Sequence, residues 1–194
     1  MKKRFIAEEE RVSLKQIISK YVDDPIVLKP IQLNILEKFD DRKSEVICDY
    51  EINGVKKDIK FSSDCVIGSI FDALVLEHSV KFSSLKTLGF VGYSVNPIFS
   101  PASKTNSDAP VEVKIEISSS NKSAIPFREK DVSVLKASTK CIFGCIQYYI
   151  NSERCFRKLK MLIKEAQSRA RGDIAQQYIS DISEIVKVTG YSDV

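Results

Sequence analysis

The clearest hydrophobic pattern in the chain is a strict alternation over residues 111–117, where Val or Ile fills every second position and charged residues fill the others. This alternation predicts a β-strand with one apolar and one charged face. A polar turn and a short apolar run at 124–127 follow. From Val134 to Ile150, small and apolar residues recur three or four positions apart, the spacing of one helix face. The segment therefore predicts a hairpin followed by a helix that lies close on the sheet.

The same order of elements occurs once earlier in the chain. Residues 46–52 alternate, Asn53-Gly54 is a strong signal for a two-residue hairpin turn, and residues 55–61 return as a second strand. Residues 66–76 are then apolar at helical spacing. The apolar runs that precede the two copies are residues 26–36 and 85–99. The order of elements, rather than identity between the copies, predicts two strand-strand-strand-helix units.

Helical segments are expected at both ends of these units. Residues 8–22 have apolar positions among charged ones, and Pro25 is expected to end this helix because the residue before a proline is pushed out of the helical region. Residues 153–171 carry seven arginines and lysines against two glutamates, which gives +5. Gly172 separates this segment from a last helix. We therefore predict a C-terminal helical hairpin, whose apolar stripes pair with each other or cover a partner.

These elements define an α+β fold with two strand-strand-strand-helix units packed together, an N-terminal helix and a C-terminal helical hairpin. The 194 residues, 43% of them hydrophobic, suit a compact domain with a sizeable core. Helices 66–79 and 132–151 are expected to lie side by side on one layer of strands, because each has an apolar face to bury. The predicted parts of the chain are residues 1–25, 26–151 and 152–194.

Targeting signals and cysteine usage bear on the compartment. No apolar run approaches the ~20 residues that span a bilayer. Glu8 and the two glutamates after it interrupt the basic start before any apolar core of a secretory signal. The five cysteines are an odd number without a Cys-x-x-Cys pair, as is typical of free thiols in a reducing compartment. We therefore expect a cytoplasmic protein that does not contact a membrane.

Few residues suit catalysis or metal binding. His78 is the only histidine, and its place near a helix end predicts a partly exposed side chain. Cys141 and Cys145 can share a helix face, but with no further ligand pair nearby we expect core packing. Asp72 and Asp108 have no visible base or nucleophile beside them. The sequence thus predicts no catalytic residue, no metal and no cofactor, and an enzyme in its own right is the least favoured class.

Three stretches carry a family resemblance. They are the hairpin leading into Phe-Asp-Ala at 46–73, the Gly-Tyr-Ser-Val and Ser-Asp-Ala motifs at 92–95 and 107–109 ahead of the alternating strand, and Leu-Lys-Ala-Ser-Thr-Lys-Cys at 135–141. Together they make residues 26–151 resemble the C-terminal regulatory domain of 2-isopropylmalate synthase and its citramalate synthase relatives. The resemblance implies a dimer-forming domain that binds an amino-acid end product between its two units and restrains a separate catalytic barrel. In that family the barrel carries the metal and condenses acetyl-CoA with a 2-oxo acid.

For this chain, the resemblance implies a non-catalytic regulatory or dimerisation module in leucine or related amino-acid biosynthesis. Its implied partners are a second copy of itself, a small apolar amino acid and a synthase catalytic subunit on which it acts in trans. Any inherited activity would be the synthase-like acyl transfer. The alternatives are a detached fragment of a synthase, or a module that binds nucleic acid or an acidic partner through residues 153–171. A solvated helix face is the interpretation we favour for that basic segment, so nucleic acid is not an expected partner.

The implied effector site lies where the start of helix 66–79 meets the loop that ends at Ala109. Free backbone N–H groups at a helix start can receive a carboxylate, Asp108 can hold the ammonium group, and Phe71 and Val75 can contact the ligand side chain. The predicted site residues are Gly68, Ser69, Phe71, Asp72, Val75, Ser107, Asp108 and Ala109. In the alternative interpretation, Phe71 and Val75 are simply core residues.

The chain departs from the family pattern at this helix start. The family's two glycines and proline align with Ile67, Ser69 and Ile70, and its aspartate before the last helix aligns with Ser133. Side chains at the glycine positions fill space that a ligand would use. We therefore expect weak or altered effector binding.

Overall fold

Two three-stranded antiparallel sheets form the strand layers of the protein. The computed structural model describes residues 8–38, 40, 42–98, 109–119, 124–189 and 191. The first sheet has the order β1-β2-β3, with β1 at Leu28–Leu36, β2 at Ser44–Ile52 and β3 at Val55–Ser63. The second has the order β4-β5-β6, with β4 at Gly89–Pro97, β5 at Val111–Ser118 and β6 at Ala124–Asp131. The predicted α+β fold is confirmed.

Helices follow each sheet and also flank the pair. They are α1 (Glu8–Tyr21), α2 (Val66–Ser79), a short 3-10 helix at Ser83–Thr87, α3 (Val134–Ser168) and α4 (Gly172–Thr189). Helix α2 packs on β2 and β3, whereas α3 packs on β5 and β6 and also contacts β1. The predicted contact between α2 and α3 is confirmed. The strands beside them form two separate sheets rather than a continuous one.

The turn between β2 and β3 has the conformation that its sequence predicts. Asn53 and Gly54 have φ angles of 49° and 81°, and Ile52 pairs with Val55 across the turn. Two successive residues with positive φ are what a two-residue turn needs to match the right-handed twist of its strands. This turn fixes the register of the first sheet.

Helix α3 continues through the position at which the sequence predicted a break. It runs for 35 residues, so the expected separate helices 132–151 and 153–171 are wrong. The side chain of Asn151 donates a hydrogen bond to the carbonyl of Gln147 (3.0 Å) and exchanges two hydrogen bonds with the backbone of Ile26 (both 2.8 Å). Asn151 thus attaches the middle of α3 to the segment before β1. The C-terminal half of α3 then packs against α4 as the predicted helical pair.

The core is organised around α3, which contacts both sheets. Its Phe143 ring lies 5.5 Å from that of Tyr50 in the first sheet, and its Tyr148 ring lies 5.6 Å from that of Phe127 in the second. On the predicted apolar face of β5, Val113, Ile115 and Ile117 are fully buried beneath it, and Val111 is half-buried at the start of the strand. Cys141 and Cys145 are also buried, so their predicted role in core packing is confirmed.

Candidate functional site

The start of α2, where the sequence predicts an effector site, is held by a network of serine hydrogen bonds. Cys65 is the N-cap residue and makes no side-chain capping bond. Its backbone N–H donates to the hydroxyl of Ser63 (2.9 Å), which also bonds the hydroxyl of Ser69. A Cβ added to Gly68 would lie 3.4 Å from the sulfur of Cys65, an ordinary contact distance. Ser69 therefore contributes to the local structure of this turn.

The other predicted site residues have different environments. Phe71 is 2% exposed, and its ring contacts that of Phe90 in β4 at 5.7 Å, so it belongs to the core between the two units. Asp72 is exposed, and Val75 is half-buried against the core. Ala109 is half-buried just before β5. Ser107 and Asp108 lie outside the described residues, so their place beside α2 stays a prediction.

His78 lies in the last turn of α2 and is only 6% exposed. Its Nε2 lies 3.4 Å from the hydroxyl oxygen of Tyr50. Burial lowers the pKa of His78 below its ordinary value of 6.5, more than the neighbouring Glu77 raises it. The expectation of a partly exposed histidine is wrong, because the end of α2 packs over β2 rather than into solvent.

A cleft of about 510 Å³ lies between α1, β6 and α3, and we call it the α1 cleft. This volume is within the range of small-molecule sites in proteins, roughly 300–1,000 Å³. Its lining residues are Lys15, Ile18, Ser19, Val22, Pro25, Phe127, Arg128, Glu129, Cys141, Gly144, Gln147, Tyr148 and Asn151. No local sequence signal identifies this cleft, because α1 lies more than a hundred residues before the β6 and α3 segments that complete its walls.

The lining of the α1 cleft has an apolar floor and a charged rim. Ile18, Val22 and Phe127 are buried, whereas Lys15 and Glu129 are exposed. A mostly apolar pocket with a few polar groups is typical of sites for small organic ligands.

Hydrogen bonds hold the walls of the α1 cleft in place. Gln147 accepts a hydrogen bond from the backbone N–H of Leu28 (2.9 Å). The guanidinium group of Arg128 donates to the carboxylate of Glu112 on the outer face of the second sheet (2.9 Å). Two polar side chains of the lining thus already have protein partners.

Helix α1 is tied to α4 through one carboxylate. Asp181 accepts hydrogen bonds from the hydroxyl of Tyr21 (2.5 Å) and the ammonium group of Lys20 (3.0 Å). Burial alone would raise the pKa of Asp181, but these two bonds outweigh it and lower that pKa. The hydrogen bonds to Tyr21 and Asp181 raise the pKa of Lys20 to about 12. The cleft side of α1 is therefore positioned by contacts made on another helix.

A smaller cleft of about 280 Å³ lies between β1 and the start of α3. The hydroxyl of Ser133 caps α3 there by accepting a hydrogen bond from the backbone N–H of Lys136 (3.3 Å). Ser133 is therefore the N-cap residue of α3, a role that an aspartate could also serve.

Glu153 is a fully buried carboxylate that the sequence analysis counted only as part of the basic segment. It accepts hydrogen bonds from the backbone N–H (3.1 Å) and the hydroxyl (2.5 Å) of Ser84, at the start of the 3-10 helix. Arg157, one turn further along α3, pairs with it. The arrangement fixes the link between the two units to α3, and no local sequence signal identifies it.

The exposed face of the basic segment lies opposite its buried stripe. Arg157, Lys160 and Lys164 are all exposed and fall on one side of α3 at spacings of three and four residues. Leu159 and Ala166 are buried on the other side. The predicted solvated face is therefore consistent with the exposure of these three cations.

Two further chemical features bear on the type of site. Within the described ranges, no group of three or more His, Cys, Asp or Glu side chains is placed to hold a metal ion. No helix in that same part of the chain combines the length and the apolar character needed to cross a membrane.

Two comparisons with known proteins were made. No family model matches the chain, and no curated protein matches it. The resemblance to the synthase regulatory domain therefore depends on the motifs and on the order of elements.

Proposed function

We propose that this protein is a non-catalytic regulatory and dimerisation module related to the regulatory domain of 2-isopropylmalate synthase, which modulates a synthase catalytic subunit in trans. The observation that carries the proposal is the duplicated unit: three antiparallel strands followed by a helix, twice, with α2 and α3 in contact. This is the order of elements that the resemblance implies. Fold alone does not establish function, so the proposal depends on the motifs as well.

A regulatory module must couple a ligand to the rest of the molecule. The core supports such coupling because α3 contacts both sheets, α1, α2 and α4. A small ligand held against α3 would therefore touch the element that joins both units. The ligand class is a small apolar amino acid, as the resemblance implies.

Thermal unfolding with a panel of amino acids tests the proposal. A ligand that binds only the folded state at 100 times its Kd stabilises it by about 2.7 kcal/mol, which for a chain of this size raises Tm by roughly 5–10 °C. We expect leucine, isoleucine or valine to give such a rise, and aspartate and lysine to give none. If no small apolar amino acid shifts Tm, the effector role is wrong.

Co-purification from the native cell tests the action in trans. A tagged form of the chain should retain a synthase catalytic subunit, and addition of the amino acid found above should change that synthase's activity. A synthase whose activity is the same with and without the module would contradict the regulatory role.

A second candidate function is binding of an acidic partner, including nucleic acid, through the exposed cations of α3. The observation that favours it is the shared face of Arg157, Lys160 and Lys164. A gel shift at low salt with generic DNA and RNA tests it, because phosphate contacts weaken steeply with salt. Complexes that disappear in a Lys160→Glu, Lys164→Glu variant would support this candidate, and the absence of complexes with the unmodified chain would reject it for nucleic acid.

A further inference from the structure

We infer that the α1 cleft, rather than the start of α2, is where this module takes its small apolar amino acid. The inference rests on the proposed function and adds the location of the site. It is supported by a glycine on the cleft floor, by the charges of the rim and by the position of α1.

Gly144 is the first observation. It is exposed in the middle of α3, although its neighbours Phe143 and Cys145 are buried. An added Cβ would meet no described atom within 4 Å, so no packing contact in this part of the chain requires a glycine there. A glycine in a helix interior destabilises the helix relative to alanine. Close approach of a ligand to the helix backbone would explain why a glycine occupies this position.

The apolar floor beside Gly144 gives the ligand body a place to bind. Ile18 and Val22 come from α1, and the rings of Phe127 and Tyr148 stand edge to face at 5.6 Å. An aliphatic side chain of three or four carbons buries its surface against such a floor, and the hydrophobic effect favours that burial.

The rim of the cleft provides opposite charges on opposite walls. Lys15 lines it from α1 and Glu129 lines it from β6, whereas the charge of Arg128 is matched by Glu112. We expect a ligand with a carboxylate and an ammonium group on one carbon to engage both walls. A simple carboxylic acid or a simple amine can engage only one of them. The rim therefore favours a zwitterion.

Occupation of the cleft would bridge α1 and the second unit. The end of α1 is already tied to α4 by Tyr21 and Lys20, which bond Asp181. A ligand between Lys15 and Glu129 adds a contact on the other side of α1. Binding should therefore hold α1 more firmly on the core, which backbone amide exchange of residues 13–21 can report.

Calorimetric titration with leucine, isoleucine and valine tests the location. Gly144→Leu fills the cleft and should weaken binding at least tenfold, and Glu129→Gln should also weaken it. Gly172→Leu is the matched control, since this glycine at the start of α4 likewise has no described atom within 4 Å of an added Cβ and lies outside the cleft. The control should bind like the unmodified protein.

Thermal unfolding of the same variants separates loss of binding from loss of folding. Gly144→Ala, the milder change, should raise Tm because alanine favours the helix, and should still weaken binding. Raised stability with unchanged affinity in both Gly144 variants would overturn the inference. If Asp72→Asn loses affinity and Gly144→Leu keeps it, the ligand binds at α2. That result would overturn the location, but the proposed function would stand. No binding to the unmodified protein would overturn both.

Discussion

At the scale of single residues, two glutamate–arginine pairs on α3 have the same spacing but different surroundings. Glu153 pairs with Arg157 and is 0% exposed, whereas Glu165 pairs with Arg169 (2.7 Å) and is 51% exposed. The difference comes from Ser84, which approaches Glu153 from a distant part of the chain. Exposed pairs contribute little to stability because water and salt screen them. Removing a buried carboxylate, or one of its partners, reduces stability much more, because it leaves a buried polar or charged group uncompensated.

We therefore expect Glu153→Ala to reduce the free energy of unfolding by about 3 kcal/mol, since it leaves the Ser84 groups without their acceptor. Glu165→Ala, the matched control on the same helix, should reduce it by less than about 0.5 kcal/mol. Urea denaturation of the two variants measures both values. Equal effects would show that Glu153 is not buried as described.

The stability of the protein should also depend on pH through His78. Burial lowers its pKa in the folded state, so the unfolded chain binds the proton more readily. Stability is then complete above the ordinary pKa of 6.5 and is lost as pH falls through it, by at most about 1.4 kcal/mol per pH unit. Urea unfolding at pH 7.5 and 5.5 should show a larger loss for the wild type than for His78→Gln. Identical losses would mean that another group is responsible.

The candidate site shows why residue-level prediction was incomplete. Phe71 and Val75 were assigned to one helix face from their spacing, but spacing alone cannot distinguish a pocket face from a core face. Phe71 contacts Phe90 and lies in the core. Gly144 was not singled out, because its exposure depends on α1 and β6, which leave a cleft beside it.

At the scale of elements, local signals predicted the strands well. Alternation identified β2 and β5, and the Asn53-Gly54 turn identified β3 as the strand that returns after β2. Pro30 lies in the edge strand β1, whose register shifts between Pro30 and Gln32, and proline is confined to sheet edges and bulges because it cannot donate a ladder hydrogen bond. These features follow from the backbone of a few neighbouring residues.

The continuation of α3 past Asn151 has no signal in the local sequence. The basic composition after Asn151 suggested a new helix. In the structure it marks the point at which one continuous helix passes from the core to the solvent-exposed surface. Asn151 pairs with the backbone of Ile26, which is 125 residues away in the chain. Such a long-range hydrogen bond has no local signature.

Asn151→Ala should therefore weaken the attachment of the segment before β1. It leaves the buried N–H and carbonyl of Ile26 without partners, which reduces the free energy of unfolding by about 2 kcal/mol. Asn34→Ala, on the exposed side of β1, is the control and should have an effect of less than about 0.5 kcal/mol. Chemical denaturation compares the two variants. A negligible effect of Asn151→Ala would contradict the assigned role of this contact.

At the scale of the whole molecule, the C-terminal helices leave less apolar surface for a partner than their sequence suggests. The apolar stripes of the C-terminal helices cover each other, with Leu159 and Ile185 both fully buried. Other members of the stripes, such as Leu162 and Tyr178, are half-buried against the core, so only part of this surface is left for a partner. Edge strand β4 exposes Val91 and Tyr93 by 36% and 43%, and unpaired edges with apolar side chains favour association.

We expect the protein to be a dimer at tens of micromolar concentration, as the resemblance implies. Light scattering coupled to gel filtration measures this directly. Val91→Lys should shift the equilibrium towards monomer if β4 lies in the interface, whereas Val55→Lys, at the exposed hairpin of the first sheet, should not. A strict monomer at these concentrations would contradict the dimerisation role.

The proposed function depends on the binding of a small apolar amino acid. Equilibrium dialysis of the full chain against isotopically labelled leucine, isoleucine and valine tests this directly, because it measures binding itself rather than its effect on unfolding. We expect saturable binding of at least one of them, displaced by the unlabelled amino acid and absent for labelled lysine. Equal concentrations of all three on both sides of the dialysis membrane, at millimolar concentration, would show that no such amino acid binds.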